Sequence, residues 1–162
     1  MLKPKFRFNR ITDVSGEFLK EAGIKNIILD IDNTLTYHDS QEISEGVLNW
    51  LSERKEEGIG LVLLSNNNYD RVRPFAERIG LEFVPSAAKP LTKGYNRLLS
   101  RFNWNKKETA SIGDQLFTDM LGANLSGVKS ILVEPFHKES GKFLRFKRVI
   151  EELILKEKRN YD

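Results

Sequence analysis

Apolar residues along the chain fall into short runs separated by longer amphipathic stretches. Residues 24–31 hold Ile27, Ile28 and Leu29 in a row, as a strand buried on both faces does. Further short runs fall at 60–64, 81–84, 109–112 and 128–133. Between them the spacing is helical. The segment 44–57 places Val47, Leu48 and Leu51 on one face with Trp50 beside them, Ser44 as N-cap and Gly58 as stop. Helices are also predicted over 68–79, 91–102, 118–125 and 143–158, the last with a stripe of Phe143, Phe146, Ile150, Leu153 and Ile154. Pro74 within 68–79 belongs near a first turn or at a kink. Strands alternating with helices predict an α/β fold, a doubly wound, mostly parallel five-stranded sheet. Residues 1–162 read as one domain, with 1–23 a basic N-terminal extension and 143–158 a C-terminal helix.

Composition narrows the chemistry. The 162 residues are 40% hydrophobic and 30% charged, which describes an ordered chain. The absence of cysteine excludes disulfides, thiolate metal sites, iron–sulfur clusters and cysteine nucleophiles. No apolar run approaches the ~18 residues of a membrane-spanning helix, and no apolar stretch follows the basic start as in a signal peptide. The expected compartment is the cytoplasm. The net charge of +3 is unevenly spread: residues 1–10 carry +4, residues 137–162 carry +3 and the body between them −4. Basic ends on an acidic body suggest an anionic partner reached by the ends.

Sheets of this class bind ligands at the carboxyl ends of their strands. The first predicted strand ends in Asp30-Ile31-Asp32-Asn33-Thr34-Leu35, the second in Ser65-Asn66-Asn67. Ala88-Lys89-Pro90 follows the third, and Gly113-Asp114 ends the fourth, with Asp119 five residues on. Crowded carboxylates repel unless a cation sits among them, and hard oxygen ligands without His or Cys favour Mg²⁺. A magnesium ion, a lysine and small hydroxyl residues make a phosphate site. There an ionised aspartate can attack phosphorus, and a second one two residues on can protonate the leaving oxygen and then activate water. Taken singly, Asp-x-Asp, Gly-Asp or a lysine is ordinary turn or surface chemistry. Their order, each at a predicted strand end, is what makes the signal specific.

The four segments Asp30 to Leu35, Leu64-Ser65-Asn66, Lys89-Pro90 and Gly113 to Asp119 resemble the four motifs of the haloacid dehalogenase superfamily, over about residues 24–135. Ser65-Asn66-Asn67-Asn68, Ala88-Lys89-Pro90, the Gly113–Asp119 stretch and the region 143–151 resemble its YqeG-like branch, related to the mitochondrial phosphatidylglycerophosphate phosphatases. The resemblance implies Asp30 as nucleophile and Asp32 as general acid/base, its backbone carbonyl on the metal. It implies Thr34, Ser65 and Asn66 at the phosphate, Lys89 neutralising the phosphoryl charge, Asp114 on Mg²⁺ beside Asp30, and Asp119 supporting the metal. Transport ATPases of the superfamily carry Thr at the position of Asp32, so aspartate there implies fast hydrolysis, a phosphatase.

Many members insert a cap domain between motifs. Here one loop, one helix and one strand fill the interval from Thr34 to Ser65, and one helix and one strand that from Ser65 to Lys89, so no separate cap is expected. An open site suits a phosphate on a large body. The expected partner is a phosphorylated lipid headgroup at an anionic membrane surface, with phosphatidylglycerophosphate the implied substrate and peripheral residence on the inner face. Lys3, Lys5, Arg7 and Arg10, interleaved with Phe6 and Phe8, either lie on such headgroups or form a tail whose phenylalanines tuck into the core. Lys142, Arg145 and Arg148 form a solvated helix face or a headgroup clamp. His38 follows the Asp30 loop and could meet substrate; His137 stands apart from the motifs, and Trp50 and Trp104 read as packing residues. An oligomer could supply a lid.

Other readings keep the site and change its use: a soluble phosphomonoester, or a nucleic acid terminal phosphate without a stable nucleic acid complex, since no base-stacking platform is evident. A phospho-accepting receiver domain also joins acids, a hydroxyl and a lysine, but its acidic pair and acceptor lie on different strands, whereas Asp30 and Asp32 share one strand end. An idle binding module would carry the motifs without turnover.

Overall fold

The computed structural model describes residues 1–37 and 40–135. The predicted helix over 143–158, with Lys142, Arg145 and Arg148, lies outside them, as do His38 and His137.

Among the described residues six parallel strands form one sheet in the order β1-β6-β5-β2-β3-β4. These are β1 (Phe6–Phe8), β2 (Asn26–Leu29), β3 (Gly60–Leu64), β4 (Glu82–Val84), β5 (Thr109–Gly113) and β6 (Lys129–Val133). At the centre Ile27, Ile28 and Leu29 pair with Leu61, Val62 and Leu63 on one side. On the other they pair with Ala110, Ser111 and Ile112. Among the described residues five α-helices cover the sheet: α1 (Gly16–Glu21), α2 (Glu45–Glu56), α3 (Tyr69–Ile79), α4 (Thr92–Phe102) and α5 (Leu121–Ser126).

Period-two alternation divides the core. Ile27, Leu29, Leu61 and Leu63 pack with Leu19, Trp50, Leu51, Val72 and Phe75, so α1, α2 and α3 cover one face. Ile28, Val62 and Leu64 pack with Tyr95, Leu98, Leu99 and Ala123, so α4 and α5 cover the other. This is the doubly wound arrangement that the run of apolar residues in β2 requires, because a strand buried on both faces needs helices on both. Ser15, Ser44 and Asn68 cap α1, α2 and α3 by accepting from Phe18, Val47 and Arg71. Each such cap stabilises by about 1 kcal/mol.

Three expectations need correction. The sheet has six strands, not five. Within the supposed N-terminal extension, β1 pairs along the edge with β6, Phe6 opposite Ile131 and Phe8 opposite Val133. Phe6 and Phe8 meet the Phe18 ring edge-on at 5.0 and 4.9 Å, and Arg7 between them pairs with Glu134 at 2.6 Å. The charges hid a three-residue alternation whose two phenylalanines point inward. The segment 118–125 begins instead as a π-helical turn, Leu116–Met120, before α5. Pro74 sits in the interior of α3, five residues after its first position. Burial of Val72, Phe75, Ala76 and Ile79 outweighs the hydrogen bond that proline cannot donate. Trp50 packs as expected, its indole N–H donating to the Val14 carbonyl at 2.7 Å.

Candidate active site

The loops leaving the carboxyl ends of β2, β3 and β5, and the loop after β4, carry all four motifs. After β2 the chain turns sharply: the amides of Thr34, Leu35 and Thr36 all donate to the Ile31 carbonyl, with Asn33 in the left-handed region at φ 59°. An asparagine tolerates that conformation better than most residues. The turn buries Thr34 and brings its hydroxyl to 3.4 Å from Asp30 Oδ2.

Lys89 arrives from the far side of β3. Its loop is stapled to the end of that strand at four points. Ser86 and Ala87 donate backbone N–H bonds to the carbonyls of Asn67 and Ser65. The Asn66 amide holds the Lys89 backbone in both directions, accepting from its N–H at 2.7 Å and donating to its carbonyl at 3.1 Å. Ser86 and Ala88 take left-handed φ angles of 48° and 55°, uncommon for such residues and maintained by these bonds. Gly94 lets α4 approach this loop, since a Cβ there would meet the Ala87 carbonyl oxygen at 2.7 Å.

Lys89 Nζ then reaches Asp30 Oδ1 at 2.9 Å and Asp119 Oδ1 at 2.7 Å, its side chain only 4% exposed. Asp119 folds back over the end of β5, where its second oxygen accepts from the Gln115 amide at 3.2 Å. That approach requires Gly113, where a Cβ would lie 2.3 Å from the Asp119 carboxyl carbon. The Tyr95 hydroxyl, from α4, donates to the Asp119 carbonyl at 3.1 Å. Oxygens of Asp30, Asp114 and Asp119 lie within 4.8 Å of one another.

The electrostatics follow from this crowding. Burial and the Asp119 carboxylate push the Asp30 carboxyl up to about 7, against the opposing pull of Lys89. Burial disfavours the Lys89 ammonium, but the Asp119 and Asp30 carboxylates outweigh it and hold that group well above the ordinary lysine value. Burial also raises the Tyr95 phenol. Three carboxylates face one ammonium, and all three are oxygen donors on buried or half-buried side chains. This donor set fits a hard divalent cation.

Asp32 lies apart from that trio. Its Oδ2 accepts from Asn67 Nδ2 at 2.7 Å and its Oδ1 from the Arg71 guanidinium at 3.1 Å. Ser65 is buried, its hydroxyl accepting from the Asn67 amide at 3.1 Å. The fold thus gathers Asp30, Thr34, Lys89, Asp114 and Asp119 around one point, with Asp32, Ser65 and Asn66 on its β3 side. Asn66, expected at the phosphate, spends its side-chain amide on the Lys89 backbone. Sequence reasoning placed Asn67 and Gln115 within motifs without giving them a role, and passed over Arg71 and Tyr95. An arginine one turn into a helix that follows a motif strand was the available signal for Arg71.

Comparison with known proteins identifies the family. A family model for haloacid dehalogenase-like hydrolases matches residues 7–127. The chain is 41% identical over 145 residues to the probable phosphatase YqeG of Bacillus subtilis, covering 90% of this chain and 84% of that one. It is 30% identical over 118 residues to the mitochondrial phosphatidylglycerophosphatase GEP4 of Saccharomyces cerevisiae, covering 64% and 63%. The fold matches the cobalt-bound deoxy-D-mannose-octulosonate 8-phosphate phosphatase of Haemophilus influenzae with a TM-score of 0.56 at 15% identity, covering 85% and 90%. The chain belongs to the haloacid dehalogenase-like hydrolase family and is a phosphatase.

Proposed function

We propose that the chain is a Mg²⁺-dependent phosphomonoester hydrolase that works through an aspartyl-phosphate on Asp30 and converts phosphatidylglycerophosphate to phosphatidylglycerol. The observation that carries the mechanism is the grouping of Asp30, Asp114 and Asp119 around Lys89. The GEP4 relative supports the substrate.

In the first step an oxygen of Asp30 bonds to phosphorus and the bond to the leaving oxygen breaks. That oxygen takes its proton from Asp32 and departs as an alcohol. In the second step Asp32 removes a proton from water as the water oxygen bonds to phosphorus. The bond to Asp30 breaks, releasing inorganic phosphate and the free carboxylate. Lys89, Thr34 and Ser65 hold the phosphoryl oxygens, and Lys89 offsets charge that grows on them. Asp30, Asp114 and Asp119, with the Asp32 carbonyl, would hold Mg²⁺. When bound, it supplies charge neutralisation and keeps two anions, carboxylate and phosphate, together.

The chain acts as one haloacid dehalogenase-like domain without a separate cap. Among the described residues one helix and one strand, α2 and β3, fill the interval between the first two strand-end motifs, and α3 and β4 that between the second and the loop that bears Lys89. Such an open mouth suits a phosphate presented at an anionic membrane surface, where the protein would act peripherally. Among the described residues no helix is long and apolar enough to cross a membrane. The test is phosphate release from phosphatidylglycerophosphate in mixed micelles, with and without Mg²⁺, beside glycerol 3-phosphate and a 5′-phosphorylated oligonucleotide. Metal-dependent release from the lipid above both others supports the reading. Release confined to a soluble ester removes the lipid and leaves the chemistry.

A further inference from the structure

The two aspartates that end β2 have opposite surroundings. Asp30 is held among carboxylates and Lys89, and Asp32 is held from the start of α3. Two donors from one short stretch grip its two oxygens, Asn67 Nδ2 on Oδ2 at 2.7 Å and Arg71 NH2 on Oδ1 at 3.1 Å. The Asp32–Arg71 pair is largely enclosed, the two side chains 17% and 18% exposed. The stretch that supplies both donors is itself fixed. Asn68 caps α3 by accepting from the Arg71 amide at 3.0 Å, and the Asn67 amide donates to Ser65 Oγ at 3.1 Å. Arg71 also donates to the Ser40 carbonyl at 3.1 Å and so ties the segment after β2 to the helix.

An aspartate has only two side-chain torsions, so one donor on each oxygen fixes both. We propose that Asn67 and Arg71 are positioning residues: they set the orientation from which Asp32 passes a proton to the leaving oxygen. This rests on the reading of Asp32 as general acid. As the bond from phosphorus to the leaving oxygen breaks, its electron pair takes the Asp32 proton. The carboxylate left behind keeps its two donors in place. A proton donor displaced by about 1 Å loses on the order of 10²-fold in rate. That loss falls on leaving groups that need the proton and spares those that leave as stable anions.

The test compares kcat/KM, which reports the transfer to Asp30, on glycerol 3-phosphate and on p-nitrophenyl phosphate. Asp32→Ala is the reference for losing the acid. Asn67→Ala and Arg71→Ala are expected to lose about 10- to 100-fold on the alkyl ester and under about threefold on the aryl ester. Arg71→Lys is expected to recover part of the difference. Arg78→Ala is the control, because Arg78 tethers the same segment through the Gln41 carbonyl at 2.6 Å without touching Asp32. Its ratio of the two substrates is expected to stay that of the wild type. Circular dichroism establishes that each variant folds. Equal losses on both esters in folded Asn67 and Arg71 variants overturn the positioning role, as does a ratio shift in Arg78→Ala matching that of Arg71→Ala. If Asp32→Ala itself loses equally on both esters, the general-acid reading fails first and the positioning role falls with it.

Discussion

Asp30 and Asp32 are two residues apart at one strand end, yet the protein builds opposite environments for them. On the β5 side, Asp30 shares Lys89 with Asp119 and lies within 4.8 Å of Asp114 and Asp119, which leaves negative charge in excess. On the β3 side, Asp32 meets an arginine and an amide. The contrast teaches how one backbone segment serves two roles. A cluster short of positive charge calls for a cation and keeps a nucleophile there. A carboxylate that already has a cation beside it does not depend on the metal for charge balance.

Asp30→Asn tests the first half of the contrast most severely. It keeps the shape and removes the nucleophile, and is expected to lower turnover by about 10⁴-fold or more, read as phosphate release in excess Mg²⁺. Asp32→Asn is expected to cost about 10²–10⁴-fold on an alkyl phosphate. Magnesium affinity, measured by calorimetry, should change far less than in Asp30→Asn. A comparable drop in affinity would place the Asp32 carboxylate with the metal and erase the distinction.

Lys89→Met addresses charge balance directly. It leaves Asp30 and Asp119 together without their ammonium. Breaking a buried pair costs about 3–5 kcal/mol, and the lower end applies because Asp30 can take up a proton. Urea midpoints without metal check this, and Mg²⁺ should restore a larger share of stability than it adds to the wild type.

The pH dependence of the metal-free protein follows from the same crowding. Asp30 holds its proton to about pH 7 when folded and to its ordinary 3.8 when unfolded. Between those values the folded state binds more protons, so this group makes stability fall as pH rises through the window. Asp30→Asn removes that slope, and the difference in urea midpoint between the two proteins at pH 5 and pH 8 measures it. A parallel pair of pH profiles would contradict the account of the Asp30 site. The gentlest test is Asn68→Ala, which removes the cap that seats Arg71. It is expected to cost about 1 kcal/mol in stability, with a modest drop in turnover of alkyl esters.

Much of this was legible in the sequence because it depends on local pattern. Ile27 to Leu29 announced a strand with helices on both faces, and the four motif segments announced the strand ends that carry the site. What escaped depended on pairing at a distance. Nothing within Phe6-Arg7-Phe8 says that β6 lies 125 residues on, offering Ile131 and Val133 across the ladder. The resemblance implied Asn66 at the phosphate. Its amide instead matches the Lys89 backbone, 23 residues away, in a register set by the loop between them. Arg71 carried only a weak signal, its place in the first turn of a helix after a motif strand, and such an arginine reads as solvated until the fold brings Asp32 beside it.

The central claim is that phosphoryl groups pass through Asp30. Rapid acid quench during turnover of a ³²P-labelled phosphomonoester, followed by peptide mapping, tests it most directly. The account predicts acid-stable, hydroxylamine-labile label on the peptide containing Asp30, present in the first turnover and absent in Asp30→Asn. Wild-type turnover with no label on that peptide at any quench time, or with label on another residue, would contradict it.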